Sequence, residues 1–152
     1  MQPARIKLNR DTQMNYVERD NYGIYALQAE KKGPGPRLMG ADTLMGNDVY
    51  NKQGEELGRV KEIMLDVQNG RVCYAVLSFG GFMGVGEKLF AVPWEALVLD
   101  TVNQRFTLDV QKDRLLQAPG FDKDNWPNMS NGAWSEGLHH YYGTQPYADH
   151  MR

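Results

Sequence analysis

The sequence contains few of the residues from which catalytic and metal sites are usually built. It has one cysteine, Cys73, and three histidines, at positions 139, 140 and 150. A lone cysteine cannot form an internal disulfide, and two adjacent histidines in a polar tail do not supply the convergent ligands that zinc needs. Ser78 lacks the G-x-S-x-G context of a serine nucleophile. We therefore predict that the protein is not an enzyme, and we expect no catalytic residue, no metal and no cofactor.

Long apolar runs are also absent. A membrane-spanning helix needs about 20 consecutive apolar residues, and no stretch of this chain approaches that length. The first residues are not followed by the apolar run that a signal peptide would have. These absences predict a cytoplasmic protein without a membrane span.

Neither sign of charge is in large excess, since the net charge is −2. Residues 1–37 carry seven Lys and Arg against four Asp and Glu, whereas residues 38–124 carry nine against thirteen. A mildly acidic body with a weakly basic arm lacks the basic patch that binds phosphate backbones. Nucleic acid is therefore not the expected partner.

Three segments of the chain differ in composition. Residues 1–37 are polar and end in a Gly- and Pro-rich linker, which predicts an N-terminal arm. Apolar stretches alternate with turn residues over 38–128, as in a compact β domain. Residues 129–152 form an aromatic tail. We predict an all-β fold of five or six short strands with one short helix at 111–117, closed into a small barrel and flanked by two extended arms, because closure removes exposed strand edges.

One hairpin is indicated by the dipeptide Asn69-Gly70, which suits the two positive φ angles of a type I′ turn. A two-residue loop there sets Val67 opposite Val72. One face of the hairpin is then apolar and is predicted to be core: Val67, Val72, Leu65, Tyr74, Ile63 and Val76. The other face becomes apolar away from the turn, through Met64, Ala75, Leu77 and Phe79. That second face needs a cover, which could be a helix, a chain terminus or another subunit.

Two further features follow the hairpin. A glycine-rich segment, residues 80–88, lacks the lysine spacing and the Ser or Thr of a phosphate-binding loop. It is interpreted as a flap whose apolar tip (Phe82, Met83 and Val85) either closes over an open barrel end or contacts a partner. Pro93 ends the next strand because proline has no amide donor, and Trp94 is expected to be buried as core at this corner.

The stretch from Ala75 to Trp94, AVLSFGGFMGVGEKLFAVPW, resembles the central segment of stand-alone bacterial PRC-barrel proteins. Asp48–Gly58 is similar to the first hairpin of that family, and Ala118–Pro127 to its closing segment. The family takes its name from the cytoplasmic domain of the photosynthetic reaction centre H subunit, and a related barrel ends the ribosome maturation factor. The resemblance implies a PRC-type barrel that docks onto other proteins and performs no chemistry of its own.

Two functions are compatible with these features. The first is an interaction or assembly module that forms a homo-oligomer and binds another protein. Its predicted contact residues are apolar: Met64, Leu77, Phe79, Phe82, Met83 and Val85. The alternative is a protein that binds a small ligand or metal at the barrel mouth, with Trp94 and the flap as walls. The arms, including Trp126 and Trp134, could cover the second hairpin face within one chain or by exchange between subunits.

Overall fold

A computed structural model of the chain describes residues 15–28, 37–80 and 86–146. Helices α1 (Tyr16–Arg19), α2 (Ile24–Gln28) and α3 (Ala41–Leu44) precede the sheet. Its six strands are β1 (Asp48–Tyr50), β2 (Glu56–Asp66), β3 (Arg71–Phe79), β4 (Lys88–Pro93), β5 (Leu97–Asp100) and β6 (Arg105–Leu108). A 3₁₀ turn, Trp94–Ala96, joins β4 to β5, and helices α4 (Lys112–Gln117) and α5 (Gly132–Tyr142) follow the sheet.

The strands form one curled sheet, a half-barrel, in the order β4-β3-β2-β1-β6-β5. All pairings are antiparallel except that of β1 with β6. The predicted strand number is therefore confirmed, whereas the predicted all-β class with one short helix holds only roughly because a few helices accompany the sheet, and the sheet is a half-barrel where a closed barrel was expected. The expected extended arms are also wrong where described, because residues 16–28 contain two helices and residues 132–142 form α5. Among the described residues, no helix has the length and apolar character needed to cross a membrane.

Alternation along the strands positions the main core. In β6, Phe106 and Leu108 are buried while Arg105 and Thr107 are partly exposed, which is the period-two pattern of a strand with one covered face. Val49 of β1 pairs with Phe106 on the same row and is fully buried. The main core continues along the sheet through Leu57, Val60, Ala75, Leu77, Phe90 and Val92.

The register of the β2–β3 hairpin differs from the prediction. Four residues, Val67–Gly70, form the loop, and Leu65 lies opposite Val72. The carboxylate of Asp66 accepts hydrogen bonds from the backbone N–H groups of Gln68 and Asn69, at 3.0 and 3.2 Å. The predicted two-residue loop is therefore wrong, because Asp66 closes a longer turn in which Gly70 has a φ of +69° and Asn69 is held by its side chain as well.

This register changes the predicted faces only in part, because Tyr74 and Val76 are buried and Ile63 packs against the main core, as expected of core residues. Leu65 and Val67, expected in the core, are 57% and 85% exposed. Ala75 and Leu77, expected to point outward, are fully buried in the main core. Tyr74 is buried on the opposite face. Two irregularities in the pairing of β2 with β3, between Val60 and Glu62 and between Met64 and Leu65, shift which residues face inward.

The β5–β6 hairpin uses the same loop design. The carboxylate of Asp100 accepts from the backbone N–H groups of Val102 and Asn103, at 3.1 and 3.0 Å, and from the Asn103 side chain at 2.7 Å. These hydrogen bonds lower the pKa of Asp100. Gln104 occupies the position of Gly70, with a φ of +58°, and is the one non-glycine residue with positive φ in the described part of the chain. Both hairpins thus have Asp, Asn and Arg at equivalent positions.

Candidate interaction surface

Of the six residues predicted to form an interaction surface, the three described ones, Met64, Leu77 and Phe79, do not form one exposed patch. Leu77 is fully buried, so the expectation that it faces outward is wrong. Phe79 is partly buried against the main core, whereas Met64 packs against a second, smaller cluster. The three flap residues lie outside the described residues: Phe82, Met83 and Val85.

The corner between β4 and β5 combines Pro93 and Trp94 as predicted. Pro93 is buried at the end of β4, and Trp94 begins the 3₁₀ turn. The Trp94 ring meets the Phe106 ring edge-to-face, with centroids 5.6 Å apart. Trp94 is only partly buried against the main core, so the expectation of a buried core residue is met in part.

Helix α5 covers the outer face of β3 and β4. The second cluster consists of Tyr74, Ala91 and Leu138, with Trp134 packed edge-to-face on Tyr74 at 5.3 Å between ring centroids. The helix begins at Asn131, whose side chain accepts from the Trp134 backbone N–H at 3.0 Å. The outer face of β3 and β4 is therefore covered within the chain, by a helix in the predicted aromatic tail.

His139 lies in this helix and is only 3% exposed. Its Nδ1 is 2.7 Å from the Thr144 Oγ1, and its ring centroid is 5.9 Å from that of Tyr74. Burial lowers the pKa of His139, while the negative charge of Glu95 acts in the opposite direction. The histidine therefore belongs to the covered interface and favours its neutral form there.

The segment before the barrel is anchored by a buried polar network. The Tyr16 hydroxyl donates to Asn47 Oδ1 at 2.8 Å, and the Tyr16 backbone N–H donates to Gln104 Oε1 at 2.7 Å. The Asn47 side-chain amide donates to the Gln104 carbonyl at 2.8 Å. Burial raises the pKa of Tyr16. The network fixes α1 against the start of β1 and the β5–β6 loop, so the described part of the N-terminal arm is docked within the chain.

The outer face of β1, β5 and β6 is left more open. The strand registers place Val98, Thr107 and Tyr50 on one row of this face. Val98 is 64% exposed, and Val102 in the following loop is 71% exposed. We call these two valines the β5 patch. Strand β5 also ends the sheet and is bonded on one side, to β6.

An open cleft of about 410 Å³ adjoins the β5 patch, and we call it the Arg105 cleft. It is lined by Asn15, Asp48, Tyr50, Val102, Asn103, Gln104 and Arg105. The Arg105 guanidinium lies 4.4 Å from the centroid of the Tyr50 ring, a cation–π distance. Asp48 accepts from Arg59 at 3.2 Å. Burial raises the pKa of Asp48, and Arg59 opposes this effect.

A second open cleft, of about 380 Å³, lies where β6, α4 and α5 meet. Arg114 and Tyr141 are linked there by two reciprocal hydrogen bonds. An Arg114 guanidinium N–H donates to the Tyr141 carbonyl, and the Tyr141 hydroxyl donates to the Arg114 carbonyl, both at 2.5 Å. The Tyr142 hydroxyl is buried without a hydrogen-bond partner among the described residues, and burial raises its pKa. These reciprocal bonds join the two helices.

The described residues include few groups suited to metal binding or nucleophilic chemistry. No group of three or more His, Cys, Asp or Glu among them could hold a metal ion. Burial raises the pKa of the partly buried Cys73 thiol, which lowers the fraction of thiolate available as a nucleophile. What the surface offers is an exposed apolar patch beside a stacked arginine.

Comparison with known proteins identifies the barrel. The family model described as PRC-barrel domain matches residues 36–115, which are more than half of the 152 residues. A search of the curated proteins finds no match. The matched range contains all six strands, and helices α1, α2 and α5 lie outside it.

Proposed function

Because this chain belongs to the PRC-barrel domain family, we propose that it is a non-enzymatic interaction module that assembles with itself and with another protein. At the level of the family, the match supports a small interaction or assembly module. Self-association and a protein partner go further than the family match, and they depend on the surface described above.

The β5 patch is the observation that carries this proposal. Its two valines are well exposed although helix α5 and the docked segment 15–28 already cover other parts of the barrel. The patch also adjoins β5, whose outer edge is unpaired in the described sheet. An unpaired edge presents free backbone donors and acceptors, and adjacent apolar side chains gain by leaving water. The flap residues Phe82, Met83 and Val85 remain predicted contributors.

The experiment is sedimentation velocity on the full chain across a wide dilution series. We expect an oligomer that dissociates on dilution and a shift toward monomer in the Val98→Lys/Val102→Lys variant. Val67→Lys is the matched control, since Val67 is an exposed valine in the other hairpin loop. Thermal melting of each variant confirms that the fold is retained. A wild-type chain that is monomeric at every concentration would show that self-association is absent.

The alternative predicted from the sequence, a ligand site at the barrel mouth, has less support. Trp94, one of its expected walls, packs against Phe106 and lines neither of the two clefts described above. The flap that would form the other wall lies outside the described residues.

A further inference from the structure

Arg105 differs from the other described arginines of the sheet in having no acceptor. Arg59 is paired with Asp48 at 3.2 Å and Arg71 with Glu95 at 3.0 Å. The Arg105 side chain forms no hydrogen bond and no ion pair with any part of the chain that the structure describes, and its Nε is buried without a partner there. A guanidinium carries five N–H donors, and with Nε buried the four Nη–H donors are those that remain to bind an incoming acceptor.

The orientation of Arg105 is nevertheless well defined. It projects from the outer face of β6, where the register places it beside Asp100, and its guanidinium stacks on the Tyr50 ring at 4.4 Å. Stacking on an aromatic ring leaves the edge of the guanidinium plane free to bind an acceptor. The loss of side-chain freedom on binding is therefore smaller than for a mobile surface arginine.

The nearby carboxylates are engaged elsewhere. Asp48 accepts from Arg59, and Asp100 accepts from the amides of the β5–β6 loop. Both are close enough to feel the charge of Arg105, but neither forms a salt bridge with it. They also repel a doubly charged anion more strongly than a singly charged one.

We propose that the Arg105 cleft binds the carboxylate of an aspartate or glutamate in an acidic segment of a partner protein. This inference rests on the proposed function and names the chemistry of its partner. Arg105 donates two parallel N–H···O bonds to the carboxylate from its two Nη groups, because its Nε is buried. Tyr50 supports the guanidinium from behind, and the β5 patch contacts apolar side chains that flank the acidic residue. The arrangement matches the Arg and Tyr anchors that are enriched at the centres of protein interfaces.

The test is an NMR titration of the ¹⁵N-labelled full chain with N-acetyl-glutamate methylamide at constant ionic strength. We expect saturable shifts in the Arg105 Nε–H signal and in the amide signals of Val102 and Asn103. Arg105→Gln should abolish saturation, and Arg105→Lys should weaken binding several-fold because lysine lacks the fork. Arg71→Gln is the matched control, since it removes an arginine that already has a partner, and it should leave the titration unchanged.

A further titration tests the chemical identity of the ligand. Inorganic phosphate, titrated under the same conditions, should shift these signals less than the glutamate probe does. Stronger binding of phosphate, or equal shifts in wild type and Arg105→Gln, would overturn the assignment to a carboxylate. So would the absence of saturable shifts at Arg105. Should Arg105→Gln lose its native spectrum, Tyr50→Leu provides the second variant, and we expect it to reduce the affinity several-fold.

The test of the carboxylate site and the test of self-association can fail independently. Sedimentation of the wild-type chain reports self-association without any probe. A chain that self-associates but does not bind the glutamate probe would refute the carboxylate site alone. A chain that binds the probe at Arg105 but stays monomeric would refute self-association and retain the site.

Discussion

The Tyr74 hydroxyl lies 2.7 Å from the Ser135 Oγ, which joins the third strand of the sheet to the C-terminal helix by a hydrogen bond at the edge of an apolar cluster. Tyr74 is buried, so its hydroxyl depends on this partner. The relationship shows that α5 is bound to the barrel by a directional contact as well as by the burial of Leu138.

We expect Ser135→Ala to lower the free energy of unfolding by about 1–3 kcal/mol, because it leaves a buried hydroxyl without a partner. The double variant Tyr74→Phe/Ser135→Ala should be less destabilised than Ser135→Ala alone, since both polar groups are then gone. Urea denaturation of the two single variants and the double variant gives the coupling free energy. A coupling near zero would mean that the hydrogen bond contributes nothing to the docking of α5.

The burial of His139 predicts a dependence of helix docking on pH. Burial holds the pKa of His139 below its ordinary value of 6.5, so the docked state binds the proton less well than the released state does. The stability of docking is therefore complete above this value, and it falls as the pH drops from about 7 to about 5. We expect faster amide exchange in α5 at the lower pH, after correction for intrinsic rates.

His139→Gln should reduce this pH dependence, whereas His140→Gln should leave it intact because His140 is the exposed neighbour. An unchanged pH profile in His139→Gln would assign the effect to another group.

Of the glycines that the structure describes, Gly58 is the least able to carry a side chain. It has a φ of +126°, and a Cβ there would lie 2.4 Å from the backbone carbonyl oxygen of Ser78. We expect Gly58→Ala to cost about 3 kcal/mol or more, from backbone strain and the clash together. Gly137→Ala in α5, where a Cβ has open space, should instead stabilise the protein by up to about 1 kcal/mol. Thermal or urea denaturation of both variants provides the comparison.

The observed hairpin register is tested by one residue from each face. Leu77→Ala should cost about 2–5 kcal/mol because it empties a fully buried site. Leu65→Ala should change the free energy of unfolding by roughly 0.5 kcal/mol or less, since its side chain is mostly exposed. The opposite ranking would restore the two-residue loop at Asn69-Gly70.

Local patterns in the sequence predict the strands better than they predict their pairing. The alternation of buried and partly exposed residues in β6 and the end of β4 at Pro93 depend on neighbouring residues alone, and the structure contains both. The predicted register of the β2–β3 hairpin was wrong. The preference of Asn-Gly for a two-residue turn competes with the Asp66 side chain, which stabilises a longer loop. The spacing of Asp100 and Asn103 in the other hairpin repeats that of Asp66 and Asn69, and this repetition was the signal for the longer loop.

Helix α5 was missed because glycine and histidine weaken its helical pattern. Its end signals were nevertheless present, with Asn131 as the N-cap and Gly143, at a φ of +72°, as the C-cap. The Arg105 cleft could not have been predicted locally. Tyr50 and Arg105 come together through the parallel pairing of β1 with β6, and sequence patterns carry little information about such distant pairings.

That parallel pairing also has a consequence for the order of events during synthesis. Val49 is made well before its row partner Phe106, because β2 to β5 lie between them in the chain. The antiparallel neighbours β2, β3 and β4 can pair as they leave the ribosome. The edge of β1 that faces away from β2 stays unpaired until β6 has been made. Closing so long a loop is slow, and it leaves an apolar strand edge open in the meantime. The nascent chain is therefore most exposed to aggregation just before β6 emerges.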